Sequence, residues 1–180
     1  TVNLTTNGLM KMMLKQKKVI VSLTSFPAAI PYAKVAIKSI LAGNTLPDKV
    51  VLYLTFSQFK DNKIPLEITA LAKNNPLFEI RNYNEDIRSY RKLIPALKDF
   101  PNEIIVTVDD DVKYHKNMLR DLLYLHKQIP EVIIANRAKK IKLNAPYRQW
   151  KKYRWYHFFT NRLHFSFKNI QTGVGGVLYP

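Results

Sequence analysis

Three consecutive aspartates, Asp109, Asp110 and Asp111, have the residue types and spacing most suited to chemistry in this chain. They follow the apolar run Ile104–Val108, which predicts a buried strand. With a side-chain period of two, Asp109 and Asp111 project to one side and Asp110 to the other. Adjacent carboxylates repel one another, and oxygen ligands of this kind suit Mn²⁺ or Mg²⁺ shared with substrate phosphates. We therefore predict a metal site with Asp109 and Asp111 as ligands; the alternative is a solvated acidic turn before the next helix.

Two further segments carry candidate binding residues. Thr24, Ser25 and Phe26 follow the first predicted strand, where hydroxyls and backbone amides could contact a nucleobase and ribose and the ring could stack or pack. Arg88 and Lys92 are four residues apart, which predicts one face near a helix N-terminus and a phosphate site. The alternatives are an ordinary turn for the first segment and an exposed basic turn for the second.

Glycine is concentrated near the end of the chain. Gly173, Gly175 and Gly176 are three of only five glycines, a density that indicates backbone approaching a ligand or a tight turn. The spacing is not that of a dinucleotide-binding fingerprint, and no P-loop or nucleophile-elbow motif is present.

The elements that position these residues alternate between strand and helix. Predicted strands are Lys18–Thr24, Lys49–Thr55, Phe78–Arg81, Glu103–Val108 and Glu131–Ala135. Predicted helices lie near Pro31–Gly43, Leu66–Lys73, Ser89–Phe100 and Asn117–Gln128. Continuous apolar strands separated by helices are typical of parallel sheets buried on both faces. The fold class is therefore α/β, a single Rossmann-like domain with a mostly parallel open sheet and helices on both faces. Ligands of such sheets bind at the carboxyl ends of the strands, where the aspartates lie.

Composition excludes several classes of protein. The 180 residues are 47% hydrophobic, which excludes global disorder, and the absence of cysteine excludes disulfides and thiolate metal sites. No apolar run approaches the length of about 18 residues needed to span a bilayer.

The net charge of +16 is concentrated at one end. Residues 132–180 contain ten Lys and Arg and no Asp or Glu, and Tyr147–Phe167 alone carries nine aromatic residues. Cations interleaved with aromatics suit single-stranded nucleic acid, an anionic membrane surface, or a core with charged rims. A nucleic-acid or membrane-surface binding module is therefore an alternative function. A phosphohydrolase with Asp-x-Asp after a strand is a weaker one, because Lys113 stands where that motif has Thr or Val.

Five segments together resemble the bacterial nucleotide-diphospho-sugar glycosyltransferases of GT-A fold that build surface polysaccharides. They are VIVSLTSFP (19–27), LPDKVVLYL (46–54), DIRSYRKLIPAL (86–97), IIVTVDDDVKY (104–114) and TGVGGVLYP (172–180). The resemblance implies a metal-dependent enzyme that moves a sugar from a nucleotide-diphosphate donor to a saccharide or lipid-linked acceptor. The absence of cysteine fits a reducing compartment, and for a sugar transferase the basic, aromatic segment suits a peripheral position on the inner face of the membrane, where a lipid-linked acceptor is presented. We therefore expect a cytoplasmic protein, with nucleic acid not among its partners.

The resemblance also assigns roles to the candidate residues. It makes Asp111 the direct metal ligand and places Asp109 and Asp110 near ribose, metal-bound water or the donor sugar. The other donor-binding residues that it implies are Thr24, Ser25 and Phe26 at the nucleotide, Arg88 and Lys92 at the base or diphosphate, and Gly175 and Gly176 beside the donor sugar and acceptor.

The sequence departs from the family in two places. Ala28 and Ala29 follow Pro27 where the resemblance leads us to expect an arginine. No acid follows Glu131, although such enzymes place a catalytic base after the glycine-rich segment. The catalytic base is thus unknown: we expect it to be absent from this chain, unless the reaction uses another route. We divide the chain into an N-terminal extension (1–17), a nucleotide-sugar-binding α/β core (18–136), and a basic aromatic segment that starts a C-terminally truncated acceptor-side region (137–180).

Overall fold

A computed structural model describes residues 16–152 and 166–180. Its strands are β1 (Val19–Thr24), β2 (Lys49–Leu54), β3 (Phe78–Asn82), β4 (Ile104–Thr107), β5 (Ile134–Ala135), β6 (Ala138–Lys140), β7 (Lys151–Lys152), β8 (Asn169–Gln171) and β9 (Val177–Tyr179). Its α-helices are α1 (Ile30–Leu41), α2 (Leu66–Lys73), α3 (Ile94–Asp99) and α4 (Met118–Gln128). Residues 1–15 of the predicted extension 1–17 and residues 153–165 of the basic aromatic segment 137–180 lie outside the described residues.

A six-stranded sheet in the order β3-β2-β1-β4-β9-β5 forms the centre of the fold. The four strands β3, β2, β1 and β4 are parallel, and β9 is antiparallel to β4 and to β5. The carboxyl ends of β1, β2 and β4 therefore meet at one edge of the sheet. This confirms the predicted α/β class with a mostly parallel sheet.

Helices cover both faces of this sheet. Val21, Leu52 and Val106 face one side, where they pack with α1, α2 and α4. Ile20, Val51 and Ile105 face the other side, with residues on and around α3. Alternate residues of each apolar strand thus enter different cores, which explains why the strands are apolar without interruption.

The prediction of one continuous helix over Ser89–Phe100 is wrong. The structure has a 3₁₀ segment over Arg88–Lys92 and a separate helix, α3, that begins at Ile94. Pro95 lies in the first turn of α3, where proline needs no backbone donor. The proline therefore starts a helix instead of interrupting one.

The last predicted segment, 137–180, contributes to two sheets. β6, β7 and β8 form a separate antiparallel sheet in the order β7-β6-β8, whereas β9 lies within the central sheet between β4 and β5. None of the helices in the described ranges is both long enough and apolar enough to cross a membrane.

Candidate functional site

The three aspartates lie at the carboxyl edge of the sheet, after β4, in three different environments. Asp109 and Asp110 are partly buried and Asp111 is exposed. β4 ends at Thr107 and a turn begins at Asp110, so the alternation of a strand does not extend through all three residues. The carboxylates of Asp109 and Asp110 contact different partners, which leaves the exposed Asp111 as the most accessible of the three.

Ser25 joins the ends of β1 and β4. Its Oγ donates a hydrogen bond of 2.5 Å to Oδ2 of Asp110, and Ser25 itself is only 4% exposed. Burial raises the pKa of the Asp110 carboxyl, and Asp111 and Asp109 raise it further, while the Ser25 hydrogen bond lowers it. The negative charge at this strand end is therefore only partly compensated by the protein.

Asp109 is held by three neighbours. Its Oδ1 forms an ion pair with Nζ of Lys92, and its backbone N lies 2.7 Å from the hydroxyl oxygen of Tyr114. Gly173 packs against its carboxylate so closely that a Cβ at position 173 would lie 2.1 Å from Oδ1. Burial raises the pKa of Tyr114, so its hydroxyl stays neutral while it accepts the hydrogen bond from the Asp109 backbone N–H. Lys92 thus contacts Asp109, a pairing that the sequence did not predict.

A cleft of about 660 Å³ opens beside Asp110 at the same edge of the sheet. Its lining is Thr24, Ser25, Phe26, Pro27, Gln58, Asp86, Arg88, Ser89, Arg91 and Asp110. The cleft therefore brings together five of the predicted donor-binding residues from three separate parts of the chain. Phe26 is 55% exposed, which leaves its ring available to a ligand.

Arg88 and Lys92 do not share a face at a helix N-terminus, so that part of the prediction is wrong. Arg88 has a φ of 53°, which no α-helix accommodates, and its side chain is 87% exposed and 3.6 Å from Asp86. Lys92 ends the 3₁₀ segment and contacts Asp109 instead. Arg88 therefore lines the cleft, whereas Lys92 contacts Asp109.

Arg91 is the charged residue of most interest among those lining residues that the sequence did not single out, which also include Gln58 and Asp86. It is 4% exposed, its Nη2 lies 3.4 Å from Oδ1 of Asp86, and its Nε has no hydrogen-bond partner in the described structure. A buried guanidinium with an unused donor is suited to an anionic ligand. Arg91 also gives the cleft an arginine, which the sequence lacks at Ala28 and Ala29. The one sequence feature that could have identified Arg91 is its position between the two candidate residues Arg88 and Lys92.

Gly175 and Gly176 lie outside the lining of this cleft. Gly173 to Gly176 form a turn in which the N–H of Gly176 donates to the carbonyl of Gly173 at 3.1 Å. Gly175 has a φ of 96° and Gly176 a φ of 90°, which side chains rarely adopt. Gly175 adjoins Asn136, and a Cβ at Gly176 would lie 2.9 Å from Sδ of Met118. The structure thus gives both residues a conformational role.

The donor set fits a divalent metal that is shared with a ligand. Among residues 16–152 and 166–180, no three His, Cys, Asp or Glu side chains are grouped so that they could hold a metal by themselves. Mg²⁺ and Mn²⁺ are commonly bound by one or two carboxylates together with substrate phosphates and water. Burial first, and the charges of Asp111 and Asp109 to a smaller extent, raise the pKa of Asp110, and a nearby cation would act in the opposite direction.

The order of the strands and the helices on both faces define a Rossmann-like α/β domain. The mannosyltransferase PcManGT from Pyrobaculum calidifontis, solved with GDP-Man and Mn²⁺, has a TM-score of 0.55 and 17% identity over 68% of this chain and 36% of its own. S. aureus TarS 1-349 has a TM-score of 0.51 and 17% identity over 72% of this chain and 37% of its own. The complex of TarS 1-349 with UDP-GlcNAc has a TM-score of 0.51 and 16% identity over 71% of this chain and 41% of its own.

These likenesses show that the chain has the GT-A-type fold found in nucleotide-sugar glycosyltransferases. The matched part spans about two fifths or less of those longer chains. No protein-family model and no curated protein matches the sequence.

Proposed function

We propose that this chain binds a nucleotide-diphosphate sugar and takes part in its transfer to a saccharide or lipid-linked acceptor. The observation that carries this proposal is the Ser25–Asp110 hydrogen bond of 2.5 Å. It joins the predicted nucleotide segment to the predicted metal segment at one cleft, at the sheet edge where open α/β folds bind ligands.

The cleft provides separate contacts for the parts of such a donor. The exposed ring of Phe26 stacks on the nucleobase. Thr24 and Ser25 line the cleft beside it, and because their hydroxyls donate to the Tyr53 carbonyl and to Asp110, their oxygens are left to accept hydrogen bonds from the ribose. Arg91 and Arg88 lie on the side of the cleft formed by the 3₁₀ segment and pair with the diphosphate. The volume of about 660 Å³ lies within the usual range of about 300–1,000 Å³ for small-molecule sites.

The aspartates bind the metal and the sugar end of the donor. Asp111 is exposed and serves as the direct metal ligand, while Asp109 and Asp110 are fixed in place by Lys92 and Ser25. A bound Mn²⁺ or Mg²⁺ neutralises charge that develops on the departing nucleoside diphosphate. An acceptor hydroxyl attacks the anomeric carbon, the bond from that carbon to the diphosphate oxygen breaks, and a base takes the hydroxyl proton. No residue of this chain is assigned as that base.

The proposal is tested by the thermal stability of the full chain with GDP, UDP and their sugar conjugates, each with and without Mn²⁺. A ligand that binds the native state and not the unfolded one stabilises it by RT ln(1 + [L]/Kd), so the melting temperature rises with the ligand concentration. We expect GDP and UDP to stabilise the protein only when Mn²⁺ is present. The matching monophosphates, GMP and UMP, should stabilise it only weakly even with Mn²⁺. Salt-sensitive binding of oligonucleotides without metal would favour the nucleic-acid module instead. Release of phosphate from small phosphate esters would favour the phosphohydrolase.

A lipid-linked acceptor and a position at the inner face of the membrane stay predictions that rest on the basic, aromatic segment. The structure describes part of this segment, including Tyr147, Trp150, Lys151 and Lys152.

A further inference from the structure

The small sheet pairs lysine with lysine. In the register between β6 and β7, Lys139 lies opposite Lys152 and Lys140 lies opposite Lys151. Like charges directly opposite one another destabilise a strand pair. Residues 132–180 contain no Asp or Glu, and no ion pair of the described residues includes any of these four lysines. The repulsion is therefore not compensated by acidic side chains of this chain.

One face of this sheet lines a cavity of about 230 Å³. Its lining is Arg137, Lys139, Tyr147, Lys152, Thr172 and Val174. Lys140 and Lys151 are absent from this lining, as expected because successive side chains of a strand point to opposite faces. Among the described residues, the lining of the cavity thus contains three cations and no carboxylate.

Lys139 is the most constrained of these cations. It is 8% exposed, and its Nζ lies 3.4 Å from the centroid of the Tyr147 ring and 3.4 Å from the Tyr147 carbonyl oxygen. Burying a charge is costly unless an opposite charge or strong hydrogen bonds accompany it. A ring face and one long contact to a carbonyl leave this ammonium with unused donors. An anion in the cavity would meet Lys139 from inside and the exposed Arg137 and Lys152 from the rim.

The cavity adjoins the aspartates through one segment of chain. Thr172 and Val174 line it, and Gly173 between them packs against the carboxylate of Asp109. The same short segment, residues 172–174, therefore contacts both the cavity and the Asp109 carboxylate. The cavity is about a third of the volume of the donor cleft, which suits a phosphate and a few attached atoms better than a second nucleotide sugar.

We propose that this cavity is a second anion site, formed by Arg137, Lys139 and Lys152, that binds a phosphate group carried by the acceptor. Lysine and arginine bind phosphate through charge-assisted hydrogen bonds. The site places the phosphorylated end of the acceptor beside Gly173 and so directs its hydroxyl towards the donor. The assignment to the acceptor rests on the proposed transferase function, whereas the binding of phosphate does not.

The test measures phosphate binding to the full chain in the presence of EDTA, so that metal-dependent donor binding does not contribute. The soluble probes are inorganic phosphate and glycerol 3-phosphate. Calorimetry measures their binding, and the NMR signals of the Thr172 and Val174 amides report whether they bind at the cavity. We expect R137A and K152A to weaken binding about tenfold each, as the loss of a hydrogen bond to a charged group implies. Both residues are exposed, so these variants should fold.

Matched variants separate a site from general charge. K140A and K151A remove the same charge from the same strands on the opposite face, and we expect less than a twofold effect from each. Equal losses in K151A and K152A would overturn the proposal, as would no binding of either probe. A loss in R88A without a loss in K152A would place the phosphate in the donor cleft and would also overturn it.

Vesicles distinguish the source of the phosphate. Phosphatidylcholine vesicles with phosphatidylglycerol that bind the wild type, but not K152A, would identify a lipid headgroup. Binding of glycerol 3-phosphate without binding of these vesicles would identify a water-soluble phosphorylated acceptor. If phosphate binds as described but no nucleotide binds with Mn²⁺, the anion site stands and the proposed transferase function, with the acceptor role, is wrong.

Discussion

Gly173 lies against the carboxylate of Asp109, so closely that a Cβ at position 173 would come within 2.1 Å of Oδ1 and 2.6 Å of Cγ. Because real Cβ contacts are never this short, any side chain at this position must displace the carboxylate. The contact joins the glycine-rich segment to the first of the three aspartates. The chain neighbours of Gly173, Thr172 and Val174, line the basic cavity.

The G173A variant should therefore lose nucleotide binding while keeping its fold. The methyl group pushes Asp109 away from Lys92 and from the metal position, so we expect Mn²⁺-dependent binding of GDP or UDP to weaken at least about tenfold. Calorimetry measures the affinity, and urea unfolding checks that the protein stays native.

A double variant shows whether the effect acts through Asp109. In a D109N background, G173A should add little further loss, because the two substitutions affect one interaction. A full additional loss in the double variant, or normal binding by G173A alone, would contradict the account.

Gly175 and Gly176 should behave differently from Gly173. Their φ values of 96° and 90° strain any other residue, so G175A and G176A should each lower the free energy of unfolding by about 1–3 kcal/mol. The effect at 176 should be the larger, since the new Cβ would also contact Met118. Urea denaturation measures both. Weaker nucleotide binding with unchanged stability would instead return these glycines to the donor site.

Arg91 should contribute more to donor binding than Arg88 does. Its guanidinium is buried at the cleft with an unpartnered Nε, whereas the Arg88 side chain is 87% exposed. We expect R91A to weaken UDP or GDP binding about tenfold or more and R91K to restore only part of it, because lysine lacks the fork geometry. R120A, which removes an exposed arginine from α4, is the control. Equal affinity in R91A and R120A would exclude Arg91 from the site.

Phe26 should recognise the base and not the phosphates. Loss of a stacked aromatic costs about 1–3 kcal/mol, so F26A should weaken UDP or GDP binding about tenfold and leave Mn²⁺–pyrophosphate binding unchanged. Tyr124 is 64% exposed on α4, so Y124A controls for the loss of an exposed ring. If F26A weakened the nucleotide and pyrophosphate equally, the ring would have a packing role.

Most of the central sheet could be predicted from the sequence because its strands are short apolar runs between turn residues. The predicted strand Lys18–Thr24 corresponds to β1 at Val19–Thr24, and the helix Leu66–Lys73 is reproduced. The small sheet could not be predicted, because β6 and β7 consist mainly of lysine and carry no apolar periodicity. The position of β9 between β4 and β5 depends on pairing between distant parts of the chain.

The candidate site was predictable where the signal was a strand end. Ser25 and Asp110 follow two different strands, and their contact is what the parallel arrangement implies. The identity of the buried arginine was not predictable, because Arg88 and Arg91 lie in one charged segment whose 3₁₀ geometry decides which side chain enters the protein. The contact between Gly173 and Asp109 likewise depends on how a loop packs, which local sequence does not specify.

The most direct test of the central claim is the change in melting temperature that Mn²⁺ and GDP or UDP together cause, compared between the wild type and D111N. The control is D121N, which neutralises a half-exposed aspartate on α4 that pairs with Arg120. The account predicts a stabilisation that needs both metal and nucleotide, is kept in D121N and is lost in D111N. A metal-dependent stabilisation that persists in D111N, or no stabilisation of the wild type by either nucleotide, would contradict it.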